Sequence, residues 1–234
     1  MKDRIDSSLM SRVLSCQKCK QQNGLKDYFP RDCPPVFSFG DPSCKEIIVV
    51  GINPSKAEYD SEFLAKEFDK ALESQIKYFE RREYRFFDEV ARFFEDDMIR
   101  TMLGTPRSLW EEVGYLDLVK CVTSADKGVQ WNGLRSSEKN KIVENCQEFL
   151  EQQLNLYRPR LVIAYGKNVG SWFGVKNSDV EGFDFVRHPK RFEFEYRAIY
   201  APQRQGKHSR PEVNEMKAKI REALVSIRAQ SGQH

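Results

Sequence analysis

The sequence predicts a three-layer α/β/α sandwich with a mainly parallel central sheet. Two patterns point to it. Short apolar runs rich in β-branched residues recur at 46–50, 113–122 and 160–166, as expected of strands buried on both faces. Segments with helical spacing of apolar residues stand between them, and strand–helix alternation with short connections is the signature of an α/β fold. No repeat or low-complexity linker interrupts the pattern, so residues 1–234 read as a single domain.

The elements follow in order. Ile5, Leu9, Val13 and Leu14 have helical spacing, and that helix delivers Cys16-Gln17-Lys18-Cys19. Residues 20–44 carry Pro30, Pro34, Pro35, Gly40 and Pro42 with few periodic apolar positions. Such a stretch needs ordering from outside its own core, and 1–44 is expected to be a metal-anchored segment. Ile47 to Val50 form the first strand. From Glu58 to about Ile99 the pattern is helical and aromatic until Gly104-Thr105-Pro106 breaks it. Val113 to Val122 read as the second strand, and Thr123 to Gly133 as a polar loop containing Trp131. Ser136 or Ser137 is expected to cap a helix with apolar positions from Ile142 to Leu154. Arg160 to Gly166 form a third strand, and Lys167 to Phe173 a short helix. Phe183–Val186 and Phe192–Tyr200 read as strands joined through His188-Pro189, and Pro211–Ala229 as a closing amphipathic helix.

Composition narrows the setting. Lysine and arginine number 38 against 35 aspartates and glutamates, a net charge of +3, so any nucleic-acid surface must be local. No apolar run approaches the ~20 residues of a membrane span, and the N-terminus lacks the apolar core of a signal peptide. A soluble, cytoplasmic protein is the expectation, and a monomer. Six cysteines in such a chain suggest metal or catalysis before disulfides.

Two features carry chemistry. The first is Lys45 to Ser55, in which an apolar strand stops at Gly51 and is followed by Ile52-Asn53-Pro54-Ser55. Ligands of open α/β sheets bind at the C-terminal ends of strands, so Asn53 is a polar side chain at the mouth of the sheet. The bland alternative is an asparagine satisfying its own turn. The second feature is the cysteine set. Cys16 and Cys19 have a spacing that aims two thiolates at one metal, Cys121 ends a strand and Cys146 sits in the next helix. Four thiolates suit a tetrahedral zinc or a cubane cluster. A CxxC pair also serves redox chemistry, and isolated cysteines are often simply buried. Cys33 and Cys44 are read as thiols rather than ligands.

Several of these patterns agree on one superfamily. Ile48-Val49-Val50-Gly51-Ile52-Asn53-Pro54-Ser55 resembles the first motif of mismatch-specific uracil and thymine DNA glycosylases, whose strand ends in Gly-Ile-Asn-Pro-Gly. Tyr115 to Cys121, Cys146 and the run Tyr157 to Gly166 resemble the middle of the iron–sulfur uracil-DNA glycosylases. In that family a Val-Lys-Cys strand end, a helix cysteine and an N-terminal CxxC hold a [4Fe–4S] cluster. The resemblance therefore implies Cys16, Cys19, Cys121 and Cys146 as ligands, with zinc as the alternative metal.

The resemblance also implies a DNA glycosylase: a flipped-out base, uracil or a modified or amine-bearing one, loses its N-glycosidic bond to water. Asn53 would orient that water, with Gly51, Ile52, Pro54 and Ser55 lining the base. The segment 78–87 is similar to the region that supplies a stacking aromatic, with Phe79 in that place and Tyr59 as its rival. Arg204, Lys207, His208 and Arg210 would grip DNA, single- or double-stranded.

The chain departs from the family twice. Ala201 stands where a catalytic histidine is expected after the last strand, which leaves Asn53 to act alone or His208 to fold back into the site. Asp117 stands where the iron–sulfur enzymes have the asparagine that reads uracil. An ionised aspartate only accepts hydrogen bonds, which matches an exocyclic amine rather than a carbonyl. The alternatives are a structural cap or salt-bridge partner at Asp117, and a catalytically silent nucleic-acid-binding protein for the whole chain.

Overall fold

A computed structural model describes residues 7–29, 35–38, 46–54, 85–104, 111–123, 131–175, 192, 194–202 and 208–231. In chain order these hold helices α1 (Ser7–Leu14) and α2 (Lys18–Gln21), strand β1 (Ile47–Gly51), helices α3 (Arg85–Arg92) and α4 (Asp97–Met102), and strand β2 (Val113–Asp117). Helix α5 (Ser136–Tyr157), strand β3 (Leu161–Tyr165), helix α6 (Lys167–Phe173), strand β4 (Arg197–Ala201) and helix α7 (Arg210–Ser231) complete them.

The four strands form one all-parallel sheet in the order β2-β1-β3-β4. Strands β1, β2 and β3 are buried along their whole length, which accounts for their continuous apolar sequences. Alternation along the strands divides the core. Ile48, Val50, Leu116, Val162 and Ala164 face a layer containing α1, α2, α5 and α6. Ile47, Val49, Tyr115, Ile163 and Tyr165 face α3, α4 and α7. The sandwich thus has helices on both faces, as the sequence predicts. The chain leaves β1 for a neighbour on one side, then crosses to a neighbour on the other. The C-terminal end of β1 is therefore the switch point at which open α/β sheets open a crevice.

Several expected elements are redrawn. The second strand ends at Asp117, not at 122; beyond it Leu118 and Val119 donate their amides to the carbonyls of Gly51 and Ile52 at 2.9 and 2.8 Å. The residues that follow thus wrap the mouth of β1 instead of extending the ladder. Of the expected strand 192–200, only Arg197–Ala201 is one; Phe192, Phe194 and Tyr196 pack their rings edge-on outside the sheet. Helix α5 is preceded by Arg135, and no serine caps it: the Glu138 carboxylate accepts the Arg135 amide at 2.8 Å and the Tyr28 hydroxyl at 2.9 Å.

Part of the proline-rich segment is ordered by ordinary packing, with Leu25, Phe29 and Phe37 buried in the core and the Phe37 carbonyl accepting from Gln153 Nε2 at 2.8 Å. The expected strand 183–186 lies outside the described residues, as do Cys33, Cys44 and residues 58–84 of the aromatic stretch expected from 58 to about 99. Among the described residues no helix is long and apolar enough to cross a membrane.

Candidate active site

One row of residues crosses the C-terminal rim of the sheet on its α3/α7 face. Gly51 pairs with Asp117, Val50 beside Ala164 brings Gly51 level with Tyr165, and Tyr165 pairs with Ala201. Side chains therefore alternate between polar (Asp117, Tyr165) and minimal (Gly51, Ala201).

The space above Gly51 is taken by its neighbours. A Cβ on Gly51 would lie 1.7 Å from the Tyr115 hydroxyl oxygen and 2.9 Å from Asp117 Oδ1. Glycine is needed here for room. The Tyr115 hydroxyl donates to Asp117 Oδ1 at 3.2 Å. Asp117 Oδ2 is buried and has no hydrogen-bond partner among the described residues. The Lys120 ammonium, itself fully buried, donates to the Asp117 main-chain carbonyl at 2.6 Å. Burial pushes the Asp117 carboxyl up to about 7, against the opposing pull of Lys120 and the Tyr115 hydrogen bond. Burial likewise lowers the Lys120 ammonium to about 8, with Asp117 acting the other way.

Asn53 follows β1 by two residues and is half-buried. Its Nδ2 donates to the Pro54 carbonyl at 2.8 Å and to Thr123 Oγ1 at 3.1 Å. A main-chain carbonyl only accepts, so this contact fixes which end of the amide is which. The amide does bond within its own turn, as the bland reading holds. It also reaches Thr123, seventy residues on, and both bonds use the nitrogen. The carbonyl oxygen Oδ1 is left for a ligand or water. Pro54 and Ile52 are buried beside it.

On the other flank of β1, His208 is buried. Its Nε2 lies 2.9 Å from the Tyr165 hydroxyl, and its ring stands edge-on to Phe93. Its amide donates to Glu89 Oε2 at 3.1 Å, its carbonyl accepts from Arg92 Nη1 at 3.3 Å, and Glu89 and Arg92 pair with each other at 2.8 Å. His208 thus turns inward to β3 and α3 and does not present its ring to solvent or DNA. Arg210 is exposed at the first turn of α7. Ser55, Tyr59, Phe79, Arg204 and Lys207 lie outside the described residues. The half-buried Phe86 touches Tyr115 (centroids 5.5 Å apart) and Tyr165 (4.5 Å), residues on either side of β1, so its ring lies across that strand.

The four cysteines come from the link between α1 and α2 (Cys16), α2 (Cys19), the turn after β2 (Cys121) and α5 (Cys146). Cys16 is half-buried; Cys19, Cys121 and Cys146 are buried and none is in a disulfide. A hydrogen bond with Cys146 lowers the Cys19 thiol, helped by Asn145, whose Nδ2 lies 3.3 Å from Cys19 Sγ. Burial, then the charges of Cys19 and Cys16, raises Cys121. The bond to Cys19, burial and the charge of Cys121 raise Cys146. Cys19, Cys121 and Cys146 thus each feel at least one other thiol. Among the described residues no group of three or more His, Cys, Asp or Glu side chains is arranged to hold a metal ion as it stands.

Asn53, Gly51 and Asp117 are brought to one strand end; the sequence reading has Gly51 and Asn53 there but runs the second strand on past Asp117. Tyr115, Thr123, Tyr165 and Phe86 were not anticipated there. The strand period would have placed Tyr115 on the face of Asp117, but its reach over Gly51 depends on the β1–β2 register, which local sequence does not encode. No protein among the curated sequences matches the chain. The family described as the uracil DNA glycosylase superfamily matches residues 37–225, which span every strand, helices α3 to α6 and most of α7. The chain belongs to the uracil DNA glycosylase superfamily.

Proposed function

We propose that the protein is a monofunctional DNA glycosylase that hydrolyses the N-glycosidic bond of a flipped-out uracil or of a modified or amine-bearing base. The observation that carries this reading is the fixed orientation of the Asn53 amide, which leaves Oδ1 at the switch point of the sheet. Departure of the base gives the sugar cation-like character, and water must be held where that charge develops. Asn53 Oδ1 accepts from and orients such a water. An amide is no strong base, so the site forgoes the ~10²–10⁴-fold that general-base help contributes.

Asp117, backed by Tyr115, reads the base edge, and Gly51, without a side chain, leaves the room that both occupy. Tyr59, Phe79 or Phe86 stacks on the base, a contact worth about 1–3 kcal/mol. Arg210 and the basic residues Arg204 and Lys207 take phosphates. Unstacking the base costs a few kcal/mol, which these contacts must offset.

Cys16, Cys19, Cys121 and Cys146 are the residues that would hold a [4Fe–4S] cluster, or alternatively zinc. The donor set fits in kind, being four thiols on elements that meet, with Cys19 and Cys146 already in contact. Bound there, the group would cross-link α2, α5 and the turn after β2. Its part is structural, tying the N-terminal segment to the sheet that carries Asp117 and Asn53.

The test is a panel of oligonucleotides with single lesions, incubated with purified protein and then with alkali. Release of one base by the wild type, and its loss in Asn53→Ala with DNA binding retained, is the expected result. DNA binding with steep salt dependence but no release from any substrate would instead establish a catalytically silent member, the second reading that Ala201 invites.

A further inference from the structure

We infer that Asp117 meets the base as a neutral carboxylic acid whose Oδ2–H donates to a carbonyl oxygen, so that the pocket selects a keto edge such as that of uracil and rejects the exocyclic amine of a cytosine derivative. The inference rests on the glycosylase reading above and settles which base class Asp117 suits.

Three observations carry it. The Tyr115 hydroxyl donates to Oδ1, which makes Oδ1 the carbonyl-like oxygen and leaves the proton to Oδ2. Oδ2 is buried with no partner among the described residues, and a buried donor without an acceptor is a cost that a ligand carbonyl removes. Lys120, the charged group acting on Asp117 among the described residues, gives its hydrogen bond to the main-chain carbonyl rather than to the carboxyl. An ionised carboxylate here would be buried with a single neutral donor, which strongly disfavours the charged form. The upward displacement of the Asp117 carboxyl noted above agrees.

Among the described residues no other charged group acts on the carboxyl. From β1 the facing residue is Gly51, without a side chain, and the α3 residues packed on Tyr115 are Phe86 and Phe87. Glu89 of the same helix is engaged by Arg92 and the His208 amide. A neutral carboxyl presents one donor and one acceptor in a plane, the same pattern as a carboxamide. Aspartate thus takes an asparagine's place without changing the base it suits, provided it keeps its proton.

The experiment measures single-turnover release from oligonucleotides carrying deoxyuridine or 5-hydroxymethyl-deoxycytidine, with the full-length wild type and Asp117→Asn, between pH 5.5 and 8.5. Wild type should release uracil, spare the amine-bearing base, and slow by about tenfold per pH unit above neutrality once the one required proton is lost. Asp117→Asn, which has no proton to lose, should lack that fall and outpace wild type at pH 8.5 by about tenfold or more.

Release of the amine-bearing base, or a uracil rate that stays flat through pH 8.5 in the wild type, overturns the inference while leaving the glycosylase reading intact. If the wild type releases nothing, the glycosylase reading fails instead. The inference is then judged by infrared difference spectra, in which the carbonyl stretch of a protonated carboxyl must be present in the wild type at pH 6 and absent from Asp117→Asn.

Discussion

Replacing Gly51 with alanine demands room that the mouth of β1 does not have. The new Cβ would sit 1.7 Å from the Tyr115 hydroxyl oxygen, 2.8 Å from its Cζ and 2.9 Å from Asp117 Oδ1, where Cβ atoms essentially never come closer than 3.0 Å. Tyr115 is pinned by Phe86 and Phe87, so the ring cannot simply swing aside. Overpacking of this kind costs about 1–3 kcal/mol, and breaking the Tyr115–Asp117 hydrogen bond adds about 1 kcal/mol. At roughly 2–4 °C per kcal/mol for a chain of this size, the melting temperature should fall by about 4–16 °C. Scanning calorimetry measures this directly, and uracil release should fall with it because Asp117 is displaced. Combining Gly51→Ala with Tyr115→Phe removes the 1.7 Å contact and leaves the two near 2.9 Å, so the double variant should recover part of the loss. A Gly51→Ala protein that melts with the wild type, or a double variant whose losses simply add, would refute the placement of Tyr115 over the glycine.

Three further outcomes follow from the same geometry. Thr123→Val removes one of two acceptors that orient the Asn53 amide and should slow base release about fivefold, the worth of one hydrogen bond, whereas Asn53→Ala should slow it about 10²-fold or more; single-turnover rates check both. The Asp117 carboxyl titrates higher in the folded chain than its ordinary 3.8, so between about pH 4 and 7 the folded state binds more protons than the unfolded one, and stability contributed by this group is lost as pH rises through that window. Asp117→Asn should therefore gain stability relative to wild type from pH 4 to 7 in urea titrations. Cys146→Ala should lose bound metal and melt lower than wild type; iron with sulfide in the wild-type protein supports the cluster, one zinc per chain supports the alternative, and no metal in either refutes both.

The parts of this molecule that sequence discloses are those set by local pattern. The run Ile47–Val50 and the spacing of Ile142, Cys146, Phe149 and Leu150 specify β1 and α5 because burial on both faces, or on one stripe, leaves a periodic trace. The pattern misleads where apolar residues are buried for other reasons. Leu118 and Val119 continue the apolar run of β2, yet their backbone belongs to the wrap around β1. Phe192, Phe194 and Tyr196 alternate like a strand because their rings pack on one another. Contacts that join distant segments leave no local trace. Glu89 holds the His208 amide across 119 residues, and nothing near His208 in sequence distinguishes a buried imidazole from a basic loop residue facing DNA.

The missing histidine at Ala201 takes on a different meaning once that residue is located. Ala201 is the last residue of β4, fully buried and turned toward the layer that contains α3 and α7, beside Tyr165. An imidazole there would enter packed core next to the Tyr165 hydroxyl, which already holds His208. Alanine at 201 and histidine at 208 are thus parts of one packing arrangement, in which the ring reaches β3 from beyond the strand and its peptide group is clamped by Glu89 and Arg92. On the glycosylase reading proposed above, charge assistance to a leaving base would come from groups on the opposite flank of β1. Among the described residues those are the Asn53 amide, the Tyr115 hydroxyl and the Asp117 carboxyl, which the β1–β2 pairing gathers around one glycine.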